Sequence, residues 1–146
     1  MTLDNLLQIG KLKRHAVSKV EMSRLLAAAE RALADAGIAG LSSDARLDLA
    51  YRVIMQAALA AMMANGYRPA TSEPGHHQLL IQALPKTLGT RAERVRVLDA
   101  YRVARNQSDY AGVPVSDAVA RDCLADARAI LQDLSAWLAV NRPDLA

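Results

Sequence analysis

Apolar residues recur at steps of three and four through most of the chain, and nowhere do they alternate. Over residues 16–36 the stripe is Met22, Leu25, Leu26, Ala29, Leu33 and Ala36, one face of a helix. Gly37 and Gly40 stop it. A second helix starts at Ser43, a residue type suited to the N-cap, with Asp44 in its first turn. Its stripe is Leu47, Ala50, Tyr51, Ile54, Ala58, Ala61 and Met62, and Asn65-Gly66 ends it. Two prolines and flanking glycines make residues 67–75 a loop. A shorter helix over 75–84 is interrupted by Pro85 and closed by Gly89. A fourth helix, over 91–108, has the stripe Val95, Leu98, Tyr101. After the break at Ala111-Gly112-Val113-Pro114, Ser116 caps a long last helix. Its seam runs Val119, Ala120, Cys123, Leu124, Ala127, Ile130, Leu131, Leu134, Trp137, Leu138, with Pro143 beyond its end.

No strand alternation, repeat or low-complexity tract interrupts this series. The pattern predicts an all-α fold, an up-and-down bundle of four or five helices with short loops, in which sequence neighbours pack antiparallel. Residues 1–15 form an N-terminal arm or short helix, with Leu3, Leu6 and Leu7 as one apolar turn that packs on the body or on a second subunit. Residues 16–142 form a single helical-bundle domain.

Composition changes this picture little. The 146 residues are 52% hydrophobic, enough for one domain with a real core, and there is no Phe and one Trp. Alanine and leucine dominate, and small alanines let helices approach closely. The aromatics are too few for a stacked-base platform. The net charge of +3 does not by itself argue for nucleic acid. Basic residues concentrate at Lys11, Lys13, Arg14, His15, Lys19 and again at Arg91, Arg94, Arg96, Arg102, Arg105; the plain reading of each is a solvated face. A single cysteine, Cys123, excludes an internal disulfide and any cysteine-based zinc site, and its spacing makes it a small core residue. No signal-peptide pattern and no stretch of about 18 apolar residues is present, so the expected setting is cytoplasmic, with no membrane.

Three groups could carry chemistry. His76 and His77 open the short third helix; adjacent helical residues diverge by about 100° and cannot readily share a metal. No Glu-x-x-His or His-Glu-x-x-His spacing exists, so no metal site and no cofactor is expected. Structurally one histidine caps or lines a helix end and the other is solvated; functionally a histidine there faces a groove shared with the fourth helix and binds phosphate or moves protons. The second group is Arg105 with Asp109, four residues apart and therefore neighbours. The stripe Leu98–Tyr101 continues onto Arg105, and a guanidinium on an inward face needs a carboxylate, an interface or a ligand. Arg102 broadens the positive patch, and arginine suits bidentate phosphate or carboxylate contacts. Tyr51 and Tyr101 fall on apolar stripes as core residues. Tyr110, placed just after the fourth helix, either orients a phosphate or folds over the helix end.

Helices Ala28–Leu33 and Ala50–Ala58, His76 or His77 opening a short helix, Arg105-Asn106 with Asp109-Tyr110, and the long last helix together resemble the HEPN superfamily of small helical-bundle proteins, over roughly residues 22–140. Nuclease members carry Arg, a polar residue and, after a short gap, His. Arg105 and Asn106 match that opening, and Tyr110 stands where the His belongs. The resemblance implies a homodimer whose Arg-containing motifs face each other, RNA or nucleotide as ligand, and a nucleotidyltransferase-type antitoxin as partner in a toxin–antitoxin system. Arg105, Asn106 and Tyr110 are then the catalytic candidates, and Arg102, Asp109, His76 and His77 the binding candidates.

Three functions follow as expectations. The first is a HEPN-like dimer that binds RNA, nucleotide or a partner protein through an Arg105-centred polar cleft without cleavage. The second is a metal-independent endoribonuclease in which Arg105 stabilises charge and a histidine replaces the missing base. The third is a structural interaction bundle in which Arg105–Asp109 is an interface pair.

Overall fold

The computed structural model describes residues 1–70 and 75–146, so part of the loop expected over 67–75 lies outside the described residues. Among the described residues the chain forms an all-α bundle with one small sheet. The elements are α1 (Leu3–Gln8), β1 (Leu12–Arg14), α2 (Lys19–Ala36), α3 (Ser43–Ala64), β2 (Tyr67–Pro69), α4 (His76–Gln82), α5 (Leu84–Thr87), α6 (Ala92–Ala111) and α7 (Asp117–Asn141). Side-chain caps set the starts of three long helices. The Ser18, Ser42 and Ser116 hydroxyls accept from the backbone N–H of Glu21, Ala45 and Val119, satisfying donors the helix itself leaves open.

Side-chain pairs define the helix directions. Arg94 meets Asp133 at 2.7 Å and Tyr101 donates to Asp126 at 2.5 Å. The residue numbers rise on one helix as they fall on the other, so α6 and α7 are antiparallel. Ser43 donates to Asp117 at one end of α3, and Arg142 Nη1 donates to the Ala64 carbonyl at 2.7 Å at the other. Here both numbers rise together, so α3 and α7 run parallel. They also make the most extensive helix–helix contact, followed by α2 with α3. The bundle is therefore up-and-down as expected, but its tightest pair is not a pair of sequence neighbours. Buried alanines explain the close approach: Ala50, Ala57, Ala58, Ala60, Ala61 and Ala64 on α3, Ala120 and Ala127 on α7.

Nearly the whole circumference of α3 is covered, which accounts for its length of apolar residues. Contrary to the expectation that no segment would qualify, α3 is long and apolar enough to cross a bilayer, with a mean hydropathy of 1.3. That apolarity is spent inside the bundle, since 72% of the stretch is buried.

The sequence pattern also misses the sheet. β1 and β2 pair antiparallel with Leu12 opposite Pro69, Lys13 opposite Arg68 and Arg14 opposite Tyr67. Three residues per strand are too few to show alternation, and the pairing joins the N-terminal arm to the chain just after α3. Gly66, at φ +93°, makes the turn out of α3 that β2 requires. Leu12 is buried in the core, and Tyr67 donates to Asp4 of α1 at 2.5 Å.

The fourth predicted helix, α6, continues past residue 108 to Ala111. Gly112 adopts the left-handed conformation at φ 67° and its N–H reaches the Gln107 and Ser108 carbonyls. A glycine after the last turn thus sets the end, and Tyr110 lies within the helix rather than beyond it.

Candidate functional site

A groove of about 470 Å³ runs along α3 between β2, α4 and α6. One stripe of α3 forms its floor, at steps of three and four: Asp48, Arg52, Met55, Leu59, Met63. The stripe is charged near the start of α3 and apolar near its end. Arg105 comes from α6, His76, His77 and Leu80 from α4, and Arg68 and Pro69 from β2. Among the described residues, three guanidiniums on three elements face one lining carboxylate, Asp48, so this lining carries an excess of positive charge.

Arg105 is the centre of the charged end. Its Nε lies 3.6 Å from Asp48 Oδ1 and its Nη2 lies 3.6 Å from Asp109 Oδ2, with the side chain one-third exposed. Both separations are longer than a direct hydrogen bond, so these are electrostatic pairs with donors to spare. Its guanidinium carbon stands 5.3 Å from the centre of the Tyr51 ring, within cation–π range. The inward stripe read from the sequence thus leads to a half-buried arginine whose partners are two carboxylates and an aromatic face.

Tyr51 is itself buried, and its hydroxyl has no hydrogen-bond partner. Burial pushes its phenol up to about 12, against the pull of Arg105 and Arg102, so it is no base at neutral pH. His77 packs against the same ring, with centroids 6.1 Å apart and planes at 55°, and His76 meets His77 edge-on at 4.6 Å. Burial lowers the His77 pKa, helped by His76, Arg105 and Arg102. A neutral imidazole is able to accept a proton. Among the described residues no group of three His, Cys, Asp or Glu side chains is placed to hold a metal.

The remaining predicted residues divide. Arg102 and Asn106 line a smaller cavity of about 240 Å³ that also borders His76 and His77. The two histidines therefore stand between this cavity and the main groove. Arg102 is taken up on its own helix by Asp99, at 2.7 and 3.3 Å. Asp109 lines neither cavity; it pairs with Arg105, and its charge also acts on Asp48. Tyr110 is 88% exposed and lines neither cavity. Tyr101 is a core residue as read, and its hydroxyl is held by Asp126.

Sequence reading missed Asp48, Arg52, Met55, Gln56 and Arg68. A second stripe on α3 was present as a signal, but a helix apolar on several faces hides it. Gln56 lines the groove with its Oε1 buried and unpartnered. Arg68 stands opposite Lys13 across the sheet, a like-charge pairing that costs stability. The second basic concentration divides: Arg91 and Arg96 are exposed and Arg94 pairs with Asp133, whereas Arg102 and Arg105 line the two cavities.

No family model matches the chain, and no curated protein matches it by sequence.

Proposed function

We propose that the groove binds the phosphate of RNA or of a nucleotide through Arg105, in a HEPN-like homodimer that acts by binding rather than by cleavage. The observation that supports this most is the convergence of Arg52, Arg68 and Arg105, from three separate elements, on one groove with an apolar floor. Guanidiniums suit phosphate oxygens, and the Met55–Leu59–Met63 floor suits the less polar part of a nucleotide. A nucleotidyltransferase-type antitoxin partner belongs to this reading through the family resemblance alone, and the cytoplasmic setting is carried over from the sequence expectation.

A second reading, a metal-independent endoribonuclease, is favoured by one observation: His76 and His77 line the same groove as Arg105. His77, held neutral by burial, would take the proton of a 2′-hydroxyl and Arg105 would stabilise the developing charge.

Anisotropy of a fluorescent single-stranded RNA tests the first reading. Arg105→Ala should abolish binding while leaving the thermal midpoint nearly unchanged. Binding that survives this substitution rejects the reading, and a large loss of stability marks Arg105 as structural. The same RNA incubated with EDTA tests the second. Cleavage that requires Arg105 and disappears in a His76→Ala/His77→Ala variant would establish the nuclease.

A further inference from the structure

Arg105 lies between two carboxylates, and only one of them lines the groove. Asp109 flanks the guanidinium along α6, whereas Asp48 reaches its Nε edge from α3 and lines the cavity. An anion entering along the groove towards Arg105 therefore meets Asp48 first. At 3.6 Å the Asp48 pair is too long for a direct hydrogen bond. A phosphate oxygen making a short charge-assisted bond would replace it with a stronger one.

The surroundings make this carboxylate easy to neutralise. Asp44 and Arg52 face it from its own helix, Arg105 and Asp109 from α6. The Asp44 carboxylate is engaged by the Val115 N–H at 2.9 Å. Burial raises the Asp48 pKa most, the Asp109 and Asp44 charges add to it, and Arg105 and Arg52 oppose the rise. Protonation removes the negative charge that a phosphate would otherwise approach.

We infer that Asp48 is an internal competitor for the ligand: it holds the Nε edge of Arg105 and cedes it to an incoming phosphodiester, so that it sets how tightly, and at what pH, the groove binds. This rests on the reading of Arg105 as the phosphate-binding residue. Its sign is definite. Binding strengthens as pH falls through the Asp48 pKa, and by linkage a bound phosphodiester raises that pKa.

Anisotropy with a fluorescent oligouridylate, whose bases do not gain protons between pH 4 and 8, tests it on the full chain. Asp48→Asn should tighten binding roughly tenfold at pH 7, within the usual range of coupling between sites, and should flatten the pH dependence relative to the wild type. The charge-matched control is Glu30→Gln, on the exposed face of α2, which contributes no residue to the groove; it should leave affinity unchanged. Wild-type affinity and pH profile in Asp48→Asn, with Arg105→Ala still abolishing binding, would overturn the inference and spare the reading beneath it. An equal gain from Glu30→Gln would overturn it too, as a general charge effect. Undiminished binding by Arg105→Ala, or no binding by any variant, would overturn both. Asp48 is half-exposed, and the thermal midpoint of Asp48→Asn verifies that each comparison is between folded proteins.

Discussion

The Arg105 guanidinium carbon lies 5.3 Å from the centre of the Tyr51 ring, so a charge from α6 rests on an aromatic face from α3. The contact explains how a charged side chain is held at the end of an apolar stripe. The ring offers its negative face, and two carboxylates balance the charge without consuming its hydrogen bonds. On the other side of this arrangement the Tyr51 hydroxyl is buried with no partner.

Two tyrosine substitutions should therefore behave oppositely. Removing the unpartnered hydroxyl in Tyr51→Phe relieves an unpaid desolvation cost and should leave stability unchanged or raise it. Tyr101→Phe removes a 2.5 Å bond to Asp126 and should cost about 1.5–3 kcal/mol, as bonds to charged groups do. Urea unfolding of both variants measures the difference. A loss for Tyr51→Phe as large as for Tyr101→Phe would mean that the Tyr51 hydroxyl has a partner.

His77 should titrate below the ordinary histidine value of 6.5, because burial and the neighbouring positive groups both disfavour the imidazolium. A group whose folded pKa is depressed favours folding above the unfolded pKa. That contribution is lost as pH falls from about 6.5 through the folded value. Arg105→Ala removes one of the positive neighbours and should move the His77 pKa upward. An NMR titration of the imidazole resonances reads both effects, and an upward shift from 6.5 in the wild type would refute the buried placement.

Leu131 is buried where α7 meets the core. Leu131→Ala should cost about 2–5 kcal/mol, the range for truncating a packed leucine. This holds whatever the groove binds. A denaturation midpoint equal to that of the wild type would place α7 outside the core.

Helix existence and order were legible in the chain alone. They depend on residues close in sequence: the serine cap at Ser116, a glycine stop at Gly112, and apolar steps of three and four; the caps of α2 and α3 proved to be Ser18 and Ser42, with the expected cap Ser43 as the first helical residue. The same local spacing identified Tyr51, Tyr101 and Cys123 as core residues, and showed that Arg105 does not belong to a freely solvated face. Tertiary structure decided the rest. The parallel packing of α3 on α7, the strand pairing of Leu12 with Pro69, and the meeting of Arg105 with Asp48 join residues dozens of positions apart. Periodicity along one helix says which face is apolar, not which distant surface will cover it. On α3, where several faces are apolar at once, it also does not separate the stripe that enters the core from the stripe that floors the groove.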